Sequence, residues 1–217
     1  MNPKHGNPAT AMKRYLQQDM HLQKMKNNLR DSICFFGQFL RSPAQTGSIW
    51  PSSPFLVQQL VHMATCDNAA TGLIVDLGAG SGVVSQELLT HGISPAHILA
   101  IDISRHCGAI FRKNCPDLRL HIGDARNLAD IVSRHYPGQQ IRAIISSLPL
   151  RSLPARIVRE IMYALWRLLR MGGMLIQFTY ALWQHSSLEQ YGFTNVERHY
   201  VPLNMPPALV EKYSARQ

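Results

Sequence analysis

The chain has 217 residues, enough for one sizeable hydrophobic core and, by size, one principal domain. With 46% hydrophobic and 16% charged residues it reads as a folded globule, which excludes an intrinsically disordered chain. A net charge of +9 favours an anionic partner, whether nucleic acid, a membrane surface or an acidic substrate, without choosing among them.

Residues 10–40 read as a helix. Leu22, Met25, Leu29, Ile33, Phe36 and Leu40 recur at spacings of three and four and so share one face, with Lys13, Lys24, Lys26 and Arg30 off that stripe. Residues 1–41 hold seven lysines and arginines against two aspartates, a net +5. Such a basic amphipathic helix suits the headgroup region of an anionic bilayer, and it equally suits packing on a neighbouring domain. A loop follows at residues 41–47, and Pro51-Ser52-Ser53-Pro54 reads as a turn capping a helix from Phe55 to about Thr65.

From residue 73 the pattern becomes strand–helix alternation. Strands are expected at Leu73–Leu77, His97–Ile101, Leu118–Ile122, Ile141–Ser146 and Met174–Phe178, and helices at Gly82–His91, Arg105–Asn114 and Ile157–Leu169. Short apolar strands separated by helices imply an α/β fold with a mainly parallel sheet covered on both faces. Two more strands are expected between Phe193 and Tyr213, around Asn204-Met205-Pro206-Pro207. The four cysteines (Cys34, Cys66, Cys107 and Cys115) show no C-x-x-C or Cys/His zinc spacing, so reduced thiols and no metal site are expected. The opening residues lack the apolar core of a secretion signal, and no apolar run approaches the ~20 residues of a membrane span.

Chemistry concentrates at three successive strand ends. Val75-Asp76-Leu77-Gly78-Ala79-Gly80-Ser81-Gly82 places alternate glycines directly after a strand, where the backbone can turn tightly and a ligand can approach the main chain. Position 83 is Val, so the dinucleotide spacing G-x-G-x-x-G is not met, which favours a nucleoside ligand without a pyrophosphate. Asp102, 26 residues after Asp76, ends the next strand, where an acidic side chain can accept both ribose hydroxyls. Gly123-Asp124-Ala125 ends the third, and Asp124 can accept from an adenine amine. All three sites face the crevice in which open α/β sheets bind ligands.

These motifs resemble those of the Rossmann-like class I S-adenosylmethionine-dependent methyltransferases. Further segments are similar to the bacterial soluble phospholipid N-methyltransferases: Phe39-Leu40-Arg41-Ser42-Pro43, Gly47-Ser48-Ile49-Trp50-Pro51-Ser52-Ser53, Ser146-Ser147-Leu148-Pro149-Leu150, Leu168-Leu169-Arg170-Met171-Gly172-Gly173, Gln177-Phe178-Thr179-Tyr180 and Asn204-Met205-Pro206-Pro207-Ala208. The likeness spans about residues 35–213. That family's first motif usually reads Glu-Leu-Gly-Pro-Gly-Thr-Gly, so Asp76, Ala79 and Ser81 depart from it while keeping a carboxylate and a turn. Ser147 stands where glycine is commoner, which leaves substrate preference and the number of methylations open.

The resemblance implies residues 1–41 as a basic helical segment and 42–217 as the methyltransferase domain. It implies S-adenosylmethionine as cofactor, held by Asp76, Gly78, Ala79, Gly80, Gly82, Asp102, Ile103, Asp124, Ala125, Ser146 and Ser53. It further implies Ser147 and Tyr180 as substrate-positioning groups and Trp50, Ser52 and Tyr180 as the amine pocket, where aromatic rings can hold a methylated ammonium. Ordinary core packing is the alternative for each aromatic and is favoured for Trp183; helix capping is the alternative for Ser52 and Ser53. The implied reaction is N-methylation of phosphatidylethanolamine toward phosphatidylcholine by a cytoplasmic protein held at the inner face of the membrane, with Lys13, Lys24, Lys26 and Arg30 on anionic lipid. A methyltransferase like the ribosomal RNA adenine dimethylases is the competing expectation, but Ser147-Leu148-Pro149-Leu150 lacks the Asn or Asp and the aromatic which that chemistry uses. No RNA-binding module is evident, so nucleic acid is the less favoured partner. A non-catalytic cofactor- or lipid-binding protein is the third reading.

Overall fold

The computed structural model describes residues 52–66, 72–181 and 188–216. The expected N-terminal helix with Lys13, Lys24, Lys26 and Arg30, together with Trp50 and Trp183, lies outside the described residues. Within them, α1 (Pro54–Thr65) is followed by β1 (Leu73–Leu77), α2 (Val83–Thr90), β2 (Ile98–Asp102), α3 (Arg105–Asn114), β3 (Arg119–Ile122), α4 (Leu128–His135), β4 (Ile141–Ser146), α5 (Ala155–Leu169), β5 (Met174–Thr179), β6 (Phe193–Val201) and β7 (Ala208–Ala215).

The strands form one sheet in the order β3-β2-β1-β4-β5-β7-β6. The first five are mutually parallel, and β7 runs antiparallel between β5 and β6. Every residue of β1 and β2 is buried, the pattern of central parallel strands covered on both faces. Strand alternation then sorts the core. Leu73, Val75, Leu77, Ile144 and Leu175 pack with Leu128 and Ile131 of α4 and Ile157, Ile161 and Leu165 of α5. Ile74, Ala100, Ile145 and Ile176 pack on the other face with Leu56 and Leu60 of α1, Leu88 of α2 and Phe111 of α3.

Local sequence sets the boundaries. Ser53 caps α1 by accepting the Leu56 N–H at 3.3 Å, with Pro54 in the first turn. Pro95–His97 form a short 3-10 turn, so β2 starts at Ile98 rather than His97 and closes on Asp102. Helix α5 starts at Ala155, directly after Pro154, and buries Ile157, Val158, Ile161, Met162, Leu165 and Leu169 at helical spacing. Helix α4 has no counterpart in the sequence reading: it is 8 residues long and buries only Leu128, Ile131 and Val132.

From β1 the chain steps outward to β2 and β3, then returns to lay β4 against the other side of β1. The strand order therefore reverses between β1 and β4, and the ligand crevice of such sheets lies outside the carboxyl ends at that point.

Candidate active site

The glycine loop occupies that reversal point. Gly78 and Ala79 donate their N–H groups to the Ile101 carbonyl at 2.8 and 3.0 Å, and Ser147 donates its own to the Leu77 carbonyl at 2.8 Å. These bonds tie the exits of β1, β2 and β4 together. Its three glycines meet different demands. Gly78 (φ +81°) lies so close to the β4 exit that a Cβ would come within 3.2 Å of the Leu148 side chain. A Cβ on Gly82 (φ +92°) would meet Cys115 Sγ at 2.7 Å and Phe111 at 3.0 Å, so this glycine lets α3 pack against the loop. At Gly80 (φ +56°) a Cβ would find only the Gly78 carbonyl, at 3.9 Å; it opens onto free space that a ligand can enter. No side chain caps α2, whose N-cap is Gly82, so its first N–H groups face the loop as an anion- or dipole-binding terminus.

Three carboxylates surround this loop. Asp102, 6% exposed, accepts the Gly80 N–H on Oδ2 at 2.8 Å and the Ser104 N–H on Oδ1 at 2.7 Å. It links the end of β2 to the loop while retaining acceptor capacity for ribose hydroxyls. Asp76 is fully buried; Ser85 Oγ donates to its Oδ2 at 2.6 Å, and Oδ1 has no partner. Burial pushes the Asp76 carboxyl up to about 7, the Ser85 hydrogen bond offsets only part of this, and the nearby Asp102 charge adds to it. A buried carboxylate oxygen lacking a donor suits a cationic ligand group.

Asp124 sits differently. Arg126 wraps it, donating its backbone N–H to Oδ1 at 2.9 Å, Nε to both oxygens and Nη2 to Oδ2 at 2.7 Å, and reaches Glu160 of α5 at 2.9 Å through Nη1. Burial alone would raise the Asp124 carboxyl, but the hydrogen bonds and charge of Arg126 outweigh it and hold the group below the ordinary carboxylate range. Asp124 is thus an ionised acceptor fixed in orientation. Sequence reading missed the Arg126 and Glu160 partners; Glu160 lies 34 residues from Arg126, and only the α5 packing brings them together.

The cleft at these strand ends is lined by Leu77, Gly78, Ile101, Asp102, Ile103, Gly123, Asp124, Ala125, Leu148, Leu153, Ile157 and Ile161. Of the candidate cofactor residues, Gly78, Asp102, Ile103, Asp124 and Ala125 therefore border one space, with Ile103 offering an exposed apolar edge suited to a planar base. Asp76, Ala79, Gly80 and Gly82 belong to its floor and loop. Ser146 sits beneath the loop, fully buried, where its Oγ accepts the Leu148 N–H at 3.4 Å, and it lines no part of the cleft. Ser147 is half-buried, and its N–H is bonded to the end of β1. Ser53 likewise caps α1 away from the cleft lining.

A second cavity of about 620 Å³ adjoins the first, sharing Leu148 and Leu153, with walls that include Val158, Gln177, Phe178, Tyr180, Leu188 and Tyr191 and with exposed Arg151 at the rim. Tyr180 closes one side. Its hydroxyl is hydrogen-bonded to Asn204 and Ser52, and burial raises its phenol above the ordinary range despite those bonds. Asn204, 2% exposed in the β6–β7 connection, accepts the Ser53 N–H on Oδ1 at 2.7 Å and donates Nδ2 to the Pro206 carbonyl at 2.7 Å. The structure thus gathers Ser52, Ser53, Tyr180 and Asn204 at one corner. Asn204 was legible only as part of a family motif.

A seven-stranded sheet with one antiparallel strand next to its edge, reversing at a glycine loop, is the Rossmann-like fold of class I methyltransferases. Residues 74–173 match the family described as "Methyltransferase domain". The chain is 25% identical over 183 residues to an ornithine lipid N-methyltransferase from Singulisphaera acidiphila, covering 83% of this chain and 94% of that protein. Its fold is similar to a Burkholderia thailandensis 1,6-didemethyltoxoflavin N1-methyltransferase (TM-score 0.61, 12% identity, 100% of this chain and 94% of that one). It is also similar to a Synechocystis magnesium protoporphyrin IX methyltransferase solved with S-adenosylmethionine (TM-score 0.55, 17% identity, 74% and 78%). Residues 74–173 carry a methyltransferase domain, and S-adenosylmethionine is its cofactor. The open face of Gly80, the orphaned Asp76 oxygen, the Asp102 carboxyl and the ionised acceptor Asp124 fit that molecule's ammonium, ribose and adenine.

Proposed function

We propose that this protein N-methylates phosphatidylethanolamine, and its mono- and dimethyl forms, toward phosphatidylcholine at a membrane surface. The observation that carries the reading is the cavity beside the cofactor cleft. Its walls are mainly apolar, Tyr180 closes one side and a cation stands at the rim. Apolar walls accept the lipid body near its glycerol, and Arg151 complements an anionic phosphodiester. The likeness to a protein named for methylating ornithine lipid supports a lipid acceptor. Among the described residues no helix is long and apolar enough to cross a membrane.

In this reading Asp102 accepts the ribose hydroxyls, Asp124 the adenine amine, and Asp76 faces the methionine ammonium. The bound cofactor supplies an electrophilic methyl carbon on a sulfonium. The chain's work is then to orient the amine, which by proximity alone can lower the barrier by ~7–11 kcal/mol, and to keep it neutral. A lysine-like amine titrates near ~10.4 in water, and transfer into a desolvated cavity lowers that value. No general base is required in this scheme.

Protein incubated with labelled S-adenosylmethionine and, in competition, phosphatidylethanolamine vesicles, ornithine lipid vesicles and ribosomal RNA should label the phosphatidylethanolamine. Label confined to ornithine lipid would correct the headgroup; label in RNA would overturn the lipid reading.

A further inference from the structure

We infer that Gln177 is the hydrogen-bond acceptor that aligns the substrate amine, replacing from β5 the acceptor that the β4 exit lacks; this rests on the amino-lipid reading above. Leu77, Ser146 and Gln177 are side by side on β1, β4 and β5, Leu77 paired with Ser146 and Ser146 with Gln177. Paired residues of neighbouring strands point to the same face, and Leu77 and Ser146 lead directly into the glycine loop and the Ser147–Leu150 segment. Gln177 is therefore two strands from the cofactor loop, on the wall of the cavity that adjoins it.

Its amide has a fixed sense. Nε2 donates to the Leu148 carbonyl at 3.2 Å and to the Phe178 carbonyl at 3.1 Å. Turning the amide over would set its oxygen against two acceptors, so the oxygen must occupy the other side. Oε1 is buried and has no partner, on a side chain 6% exposed. Native proteins rarely leave a buried amide oxygen without a donor unless a ligand or an ordered water supplies one. The Leu148 carbonyl at the β4 exit is itself engaged, by Nε2 and by the Leu150 N–H.

A neutral primary amine directs its lone pair at the methyl carbon and its two N–H groups elsewhere. With Oε1 accepting one of them, the lone pair is held in line. After one methylation a single N–H remains and Oε1 can still take it. After two, the neutral amine has none, and Gln177 can no longer contribute.

This gives a graded test. Gln177→Met keeps the length of the side chain and removes the acceptor together with the Nε2 donor, so the comparison among lipids, rather than the loss itself, isolates the acceptor. The variant is assayed with vesicles containing phosphatidylethanolamine, its N-methyl form or its N,N-dimethyl form, with cofactor affinity measured by calorimetry. We expect Gln177→Met to lower kcat/KM by about ten- to a hundredfold on the first two lipids and by less than about threefold on the dimethyl lipid, with cofactor affinity unchanged. An equal loss on all three lipids, which a purely structural role of the amide would produce, overturns the inference, as does no loss on any. Wild-type protein that methylates none of the three would instead overturn the amino-lipid reading itself.

Discussion

At the scale of single residues, the carboxylates at the strand ends are in different electrostatic states for local reasons. Asp124 is surrounded by a guanidinium and stays ionised, whereas Asp76 is buried beside a hydroxyl and a second acid and holds its proton to about pH 7. In the unfolded chain Asp76 titrates near 3.8. Between those values the native protein binds more protons than the unfolded one, so the stability of the cofactor-free protein should fall as pH rises through this window and level off above it. Asp76→Asn should flatten that slope, as thermal unfolding from pH 4 to 8 would report. Cofactor binding, by placing a cation against Asp76, should release a proton near pH 6–7, and affinity should rise with pH; calorimetry in buffers of differing ionisation enthalpy measures this. Asp102→Ala removes both the proposed ribose acceptor and the anchor of the Gly80 N–H, and should weaken cofactor binding by ~1–3 kcal/mol. Unchanged affinity would remove Asp102 from the site.

At the scale of elements, the loop glycines separate folding from binding. Gly82→Ala forces a Cβ onto Cys115 and Phe111 from a left-handed backbone and should cost ~1–3 kcal/mol of stability. Gly80→Ala adds one Cβ to open space, so beyond the ~1 kcal/mol that its left-handed backbone (φ +56°) costs, its loss should be in cofactor affinity. Thermal unfolding and titration should show the larger stability loss in Gly82→Ala and the larger affinity loss in Gly80→Ala, and matching profiles would refute the division. The glycine loop, Asp102 and Asp124 were legible in sequence because each is local: a carboxylate or glycine directly after an apolar run. What the sequence hid is what packing creates. Helix α4 offers too few apolar residues to declare a period. The Arg126–Glu160 bond and the Asn204–Ser53 bond, the latter spanning 151 positions, exist only because the sheet brings distant segments together. Ser146, in register with Leu77 and Gln177 at the β4 exit, is fully buried and accepts the Leu148 N–H, a local bond that the sequence does not declare.

At the scale of the whole molecule, a net charge of +9 with a +5 excess in the first 41 residues supports the proposed approach to an anionic bilayer. Each basic side chain near such a surface contributes ~1 kcal/mol, screened over ~8 Å at physiological ionic strength. Vesicle binding should rise with anionic lipid and weaken in salt, and changing Lys24, Lys26 and Arg30 to Glu should abolish sedimentation with anionic vesicles while cofactor affinity is kept. Normal binding by that variant would remove these residues from the membrane contact. The central claim, methyl transfer from this cleft to a lipid amine, is tested most directly by mass spectrometry of vesicle phosphatidylethanolamine after incubation with the protein and a cofactor bearing a deuterated methyl group. The account expects fragments carrying labelled methyl groups on the headgroup nitrogen, abolished when Gly80 is replaced by Val. Headgroups that remain unlabelled while the protein binds its cofactor normally would contradict it.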